Sequence, residues 1–472
     1  MRTLVWFRGK DLRLADHPAL ASALEGGGDV IPLFVLDSFF FAPERARAVA
    51  HRIQFLLESI AALAHDIEQR GSRLLLVAGK SRERVPELAQ AWRVDRVVAQ
   101  AWTWPVGRER DRRVRDALAV PFDTFEGETL LPPGTLRTSE GKPYAVFTPF
   151  SRAFAKALRV AAPLPAPREL PPLPRDVAAS GLANATLPTL GELGIQHNPL
   201  LQQGGESEAQ SRLASFVKSR ARHYHERRDR LDTDGTSRLS CDLKFGTLSV
   251  REVWSRLGKQ HDDGRATFAN ELVWREFAHS TLWDRPELLE EPFQARFEGF
   301  PWRRDEAGWS AWVAGKTGYP VVDASARQLL AEGFVHNRAR MISASFLCKH
   351  LLIDYKLGEA HYMRYLTDGD EANNNAGWQW SAGSGCDAQP YFRIFNPVTQ
   401  GEKFDPDGAY VRRWVPELER VPARYVHQPW QAPAAVLEQA GVRLGVEYPR
   451  PIVEHAAARQ RFLDTARGHF GT

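Results

Sequence analysis

Five stretches of this 472-residue chain carry the side chains best able to do chemistry. In Asp234-Gly-Thr-Ser-Arg-Leu-Ser240, the hydroxyls and backbone N–H groups of Thr236, Ser237 and Ser240, with the charge of Arg238, suit the phosphates of a bound nucleotide. The same residues also make an ordinary turn and helix cap. In Asn270-Glu-Leu-Val-Trp-Arg-Glu-Phe277, helical spacing places Glu271, Trp274, Arg275 and Ala278 on one face. A carboxylate, a large ring and a guanidinium together describe either a pocket wall for a polar, planar ligand or a surface ion pair over a half-buried Trp. In His336-Asn-Arg-Ala-Arg-Met341, the face shared by Asn337, Arg340 and Met341, with Arg338 beside it, suits a planar ring better than a metal, or forms the charged first turn of a helix. Leu366-Thr-Asp-Gly-Asp-Glu-Ala-Asn-Asn-Asn-Ala-Gly-Trp-Gln-Trp380 begins like a calcium loop, but Ala372 and Asn373 stand where such a loop needs an oxygen ligand and a glycine. No metal is expected; its acids, carboxamides and Trp suit a polar heteroaromatic ring. Finally, Arg393 and Lys403 interleave with Tyr391, Phe392 and Phe395, as on a surface that faces nucleic acid.

Elements must hold these groups. Up to about residue 130, apolar runs at 3–7, 30–36, 74–77, 96–99 and 122–125 alternate with helical patterns near 16–25, 43–70, 81–92 and 107–118. That alternation predicts a Rossmann-like, doubly wound parallel sheet of about five strands. The glycine fingerprint of a dinucleotide fold is missing after the first run, which reads Phe7-Arg8-Gly9-Lys10-Asp11, so any dinucleotide is expected elsewhere. From about 131 to 205 the chain turns rich in Pro, Ala and Gly, and a surface connection without continuous helix is expected. Beyond it the pattern is helical near 206–230, 248–258, 266–281, 322–331 and 335–354, and ten of the 14 Trp lie there. The predicted domains are 1–131, a linker over 132–204, and a helical domain over 205–472.

Composition narrows the class. Hydrophobic content of 43% and charged content of 25% are globular values, and no apolar run approaches the ~18 residues of a membrane span. Three widely spaced Cys and a start without signal-peptide features predict a soluble protein of a reducing compartment. A net charge of +4 does not demand nucleic acid. The 51 Arg against 11 Lys favour phosphate forks and ring stacking, though a GC-rich genome produces the same bias.

In their order and spacing these segments resemble the photolyase and cryptochrome family, and most closely its class I cyclobutane pyrimidine dimer photolyases. The resemblance runs from Val5-Trp-Phe-Arg and Asp11-Leu-Arg-Leu through Gly315-Lys-Thr-Gly-Tyr-Pro to Arg393-Ile-Phe-Asn-Pro. It implies an α/β antenna-binding domain, a long linker and an all-α domain that binds FAD, active as the reduced anionic hydroquinone. By motif match Tyr224, Thr236, Ser237, Arg238, Leu239 and Ser240 hold the phosphates and ribityl chain. Phe268, Arg275, Asn337, Arg340, Asp368, Gly369, Asp370 and Asn374 lie against the cofactor, Asn374 facing a ring nitrogen. Glu271, Trp274, Asn337, Arg338, Met341 and Trp380 line the cavity for a flipped lesion, and Arg228, Arg393 and Gln400 meet the DNA backbone.

The resemblance also implies a function: light-driven splitting of pyrimidine dimers in UV-damaged DNA by a cytoplasmic monomer. Met341 replaces the second catalytic His of (6-4) photolyases, which favours the cyclobutane dimer, with Glu271 bonded to a thymine carbonyl. A blue-light receptor on the same fold is the second reading. A carbohydrate enzyme with Glu271 and Asp368 as paired acids accounts for the Trp content but not for the ordered motifs. Three departures stand out. The electron chain reads Trp378, Tyr355, Trp302, and Tyr in the middle predicts slowed or rerouted flavin photoreduction. His350 stands where relatives place an acid paired with the Arg of the Arg340 position. The His and Lys that hold methenyltetrahydrofolate are missing, while Trp104-Pro-Val-Gly-Arg-Glu-Arg-Asp111 is closer to members with a deazaflavin antenna, so deazaflavin is favoured, or no antenna.

Overall fold

Alternating apolar runs fold as parallel strands, the three central ones buried on both faces. In the computed structural model, which describes residues 1–258 and 262–471, the strands are β1 (Arg2–Phe7), β2 (Asp29–Leu36), β3 (Leu75–Ala78), β4 (Arg96–Gln100) and β5 (Phe122–Phe125). Their order is β3-β2-β1-β4-β5, all parallel, with Thr3 opposite both Val30 and Arg96. The period of two is visible in β1: Val5 and Phe7 enter one core with Phe55 and Ile60, while Leu4 and Trp6 enter the other with Trp92 and Val97. All five strands lie where the sequence pattern predicts them, within one or two residues.

The chain divides into two compact units, Met1–Arg222 with Ser237–Pro286, and His223–Thr236 with Glu287–Thr472. The connection after β5 belongs to the first. It is held by Leu170 N–H donating to Arg70 O (2.7 Å), and Leu170, Val177 and Leu193 are buried. One expectation fails here: residues Phe147–Ala157 form a helix inside the Pro-rich stretch. The prolines cluster after residue 160, and Phe147, Phe150 and Phe154 sit at i, i+3 and i+7, so one buried apolar stripe supports helix.

The second unit packs the helices Pro320–Glu332, Asn337–Ser345, Tyr355–Tyr365 and Glu371–Ala382 around Trp312, Phe346, Leu347, Tyr362 and Trp378. The helix predicted over 335–354 is shorter. It widens into a π turn at Phe346–His350, and the chain then leaves helix through Leu352, at φ 58°.

Candidate functional site

In the first unit the site face stands on the helix Asp263–Asp284, begun by Asp262, whose carboxylate accepts the Arg265 N–H at 2.8 Å. Leu272, Val273, Glu276 and Phe277 are buried, which leaves Glu271, Trp274 and Arg275 half-buried at the edge of that face. Trp274 lies flat on Phe147, with centroids 3.6 Å apart and planes at 5°, so one ring face is covered by the helix the sequence did not reveal. Arg275 Nη1 donates to Glu128 O at 2.7 Å. Its neighbour Glu276 is not singled out by the sequence. Its carboxylate accepts the N–H groups of Leu130 (3.0 Å) and Leu131 (3.2 Å), and burial pushes its pKa up to about 7. No local pattern distinguishes it from Glu271, because what sets it apart is its burial. Phe268 is buried on the same helix. Ser237, Arg238 and Leu239 form a turn into the helix Ser240–Phe245, with Arg238 at φ 58° and Leu239 N–H donating to Ser237 Oγ at 3.3 Å. The turn is thus present but a side-chain cap is not: Leu239 precedes the helix without capping it, and Ser240 is exposed.

In the second unit Tyr224 is buried, Thr236 half-buried, and Arg228 stacks over the Tyr224 ring at 5.8 Å. His336 caps the helix Asn337–Ser345, its Nδ1 accepting the Arg338 N–H at 3.1 Å. Asn337 is exposed and points its amide at Met341 Sδ, 3.7 Å away. Arg338 pairs with Asp229 at 2.8 Å and lies over the Phe404 ring at 4.5 Å. Arg340 Nη2 reaches both Asp368 oxygens, at 2.7 and 3.0 Å, while its Nε donates to Val335 O. The acid missing at His350 is thus not needed for an Arg340 pair. His350 is buried and bonded to His455 at 2.8 Å, and burial pushes it down to about 3.

Beside Gly369, Asp370 caps the helix Glu371–Ala382, accepting from Asn373 N–H and from its side-chain amide. Asn374 is buried and donates to Glu359 O at 3.1 Å; Asn375 donates to the Glu359 carboxylate, which burial raises to about 7. Trp378 packs edge-on against Tyr362, at 5.1 Å, and Trp380 is half-buried. Tyr355 and Trp302 rings lie 6.4 Å apart, and burial, with Glu359 and Asp354 nearby, raises the Tyr355 phenol well above its ordinary range.

A cleft of about 440 Å³ in this unit is lined by Asp229, Arg338, Arg393, Phe395, Gln400 and Lys403. Arg393 and Lys403 are exposed and have no carboxylate partner among the described residues, so their charge faces solvent. The expected residues therefore divide: Ser237 to Ser240, Phe268, Glu271, Trp274 and Arg275 stand on the first unit, and the others on the second.

A five-stranded parallel sheet, a helical unit with an Arg340–Asp368 pair and buried carboxamides, and a cleft with exposed basic side chains suit a cofactor-binding protein that meets a polyanion. Residues 3–169 match the DNA photolyase family model, and 268–468 match that of the FAD binding domain of DNA photolyase. The chain is 42% identical over 470 residues to a deoxyribodipyrimidine photo-lyase of Agrobacterium fabrum, covering 98% of this chain and 96% of that one. A class III photolyase structure from Agrobacterium tumefaciens superposes with TM-score 0.88 at 40% identity, covering 100% of this chain and 98% of that chain. A Synechocystis cryptochrome does so with TM-score 0.88 at 30% identity, over 98% and 99%. The chain belongs to the DNA photolyase and cryptochrome family.

Proposed function

We propose that this chain is a deoxyribodipyrimidine photo-lyase, an FAD-dependent enzyme that uses blue light to split cyclobutane pyrimidine dimers in UV-damaged DNA. The observation that carries the reading is the open cleft of Arg338, Arg393, Gln400 and Lys403, in the same unit as the Arg340–Asp368 pair and Asn374. The donor set suits a flavin nucleotide: guanidinium groups for ring carbonyls, carboxylates and a carboxamide for ring nitrogens, and hydroxyls of Thr236, Ser237 and Ser240 for phosphates. Bound and reduced, FAD supplies the electron that opens the dimer. The chain does the rest. Glu271 hydrogen-bonds a thymine carbonyl; Trp274, backed by Phe147, offers its other face to a flipped base, and Trp380, Asn337 and Met341 are assigned to the lesion as well. Asn374, fixed through Glu359 O, is held ready for a ring nitrogen. Arg228, Arg393 and Gln400 take backbone phosphates. The 1–131 antenna domain, 132–204 linker and 205–472 catalytic domain remain our functional division.

The electron route Trp378, Tyr355, Trp302 is proposed to be slow at Tyr355, whose phenolic proton is held tightly. We also propose a second chromophore outside the carboxyl ends of β1 and β4, where the sheet order reverses. Arg8 and Arg110 lie over the Trp102 ring at 5.5 and 4.2 Å, and buried Arg8 Nε, Arg8 Nη2, Trp102 Nε1 and Trp104 Nε1 have no hydrogen-bond partner among the described residues. Those donors suit an anionic aromatic ring, for which deazaflavin is our choice; an absorption spectrum of purified protein identifies it. The enzyme is proposed to act as a cytoplasmic monomer, with sedimentation as the check; no helix among the described residues is long and apolar enough to cross a membrane. A gel assay with reduced protein tests the function: light-dependent loss of thymine dimers is expected, and no loss leaves the photoreceptor reading.

A further inference from the structure

Lys349 is a buried amine to which no site so far assigns a task. It lies in the π turn Phe346–His350, its side chain is fully buried, and its Nζ donates across 44 residues to the main-chain carbonyl of Arg393 at 3.0 Å. No carboxylate is paired with it among the described residues. The titratable groups around it are Cys348, a neutral thiol held protonated by burial, His350 on its own turn, and the Arg393 guanidinium. From the helix His455–Phe470 the Phe462 ring faces the ammonium at 5.9 Å, while Arg461 and His455 bond to His350. Burial, then Arg393, hold the amine below its ordinary value, at about 8, so it is still largely a cation at neutral pH.

Burying a lysine without an acid costs free energy that an apolar side chain would avoid, which asks for a reason. The segment it touches supplies one. Around Arg393 the chain has no regular element: it is held by Arg393 N–H to Pro390 O, by Tyr391 edge-on to Phe470 at 5.1 Å, and by Ile394 against the Phe297, Phe300 and Phe462 cluster. Arg393 and Phe395 from this segment line the basic cleft. We propose that Lys349 is a positioning residue for DNA: its ammonium holds the Arg393 carbonyl from within the core and so fixes where the Arg393 guanidinium stands in the cleft. The proposal rests on the photo-lyase reading for what the cleft binds, but not for the anchoring itself.

Lys349→Met, of similar length and apolar, removes the donor without adding a buried charge. With reduced holoprotein and an oligonucleotide carrying one thymine dimer, the half-saturating DNA concentration is expected to rise roughly tenfold, the loss of one charge-assisted hydrogen bond. Turnover at saturating DNA and the flavin spectrum stay unchanged. Amide hydrogen exchange across 389–396 becomes about tenfold faster. In Lys349→Met/Arg393→Ala, the two effects on half-saturation do not add. Equal exchange in parent and variant, additive effects, or a fall in turnover at unchanged half-saturation overturns the proposal. Lys349→Gln keeps an N–H donor, is expected between parent and Met variant, and answers the same readings if Lys349→Met does not fold. Should the parent fail to bind dimer DNA, the photo-lyase reading falls, while the exchange arm still judges Lys349.

Discussion

In the α/β unit Arg8, Arg110 and Lys10 lie among Trp6 and Trp102, and each meets a carboxylate: Asp111 takes Arg8 at 2.7 Å and Arg110 at 2.7 Å, and Glu128 takes Lys10. All are buried or nearly so. In the helical unit Arg393 and Lys403 stand beside Phe395 and Phe404 with the same residue types, but exposed and without an acid among the described residues. Arg338 is intermediate, half-buried and paired with Asp229. The difference is local neutralisation. A buried cation paired with an acid contributes to the integrity of the fold, because removing that acid leaves an uncompensated charge in the interior. An exposed one is already solvated and loses little by staying unpaired, so it is available to a phosphate, with the counterion release that makes such binding salt-sensitive.

The comparison can be broken or sharpened by experiment. Asp111→Ala leaves Arg8 and Arg110 without their acid, and is expected to destabilise the protein by about 3–5 kcal/mol, read as a lower denaturation midpoint. A change below about 1 kcal/mol would mean that burial does not distinguish the two clusters. Glu276 is the next test, because its carboxyl is raised from 4.5 to about 7 by burial. The folded state favours its acid form, so its stabilisation is complete below about pH 4.5 and is lost as pH rises through about 7. Glu276→Gln is therefore expected to remove up to about 3 kcal/mol of pH-dependent stability between pH 5 and 8 in thermal melts.

Arg393→Ala, in contrast, should leave stability within about 0.5 kcal/mol of the parent. It should weaken binding to dimer-containing DNA by roughly tenfold and lower the salt slope by about one. A stability loss as large as that of Asp111→Ala would erase the distinction. The smallest effect on repair is expected from Tyr355→Trp: dimer splitting by already reduced protein unchanged, and photoreduction of oxidised flavin faster by transient absorption. Normal fast arrival of the hole at Trp302 in the parent would contradict the part given to Tyr355.

Legibility follows the range of the interaction. The strands of the sheet and the helix carrying Glu271, Trp274 and Arg275 announce themselves through period and composition, which act over a few residues. The helix Phe147–Ala157 is obscured by the prolines that follow it, and with it the stacking of Phe147 on Trp274. Position 350 holds no acid for Arg340, whereas Asp368, singled out in the sequence for other reasons, supplies it. Glu276, Glu359 and Lys349 draw their character from burial, which no local pattern measures.

By itself the sequence determined the parallel order-reversing sheet, the helical remainder, the family and the residue types gathered for flavin and DNA, because hydrophobic period and motif spacing are properties of the chain. Tertiary structure alone decided which arginines are neutralised and which are offered to solvent. It also decided which carboxyls are pushed up toward neutrality and which main-chain carbonyl a buried lysine holds. Those outcomes depend on desolvation and on partners tens to hundreds of residues away, which come together only when the chain folds.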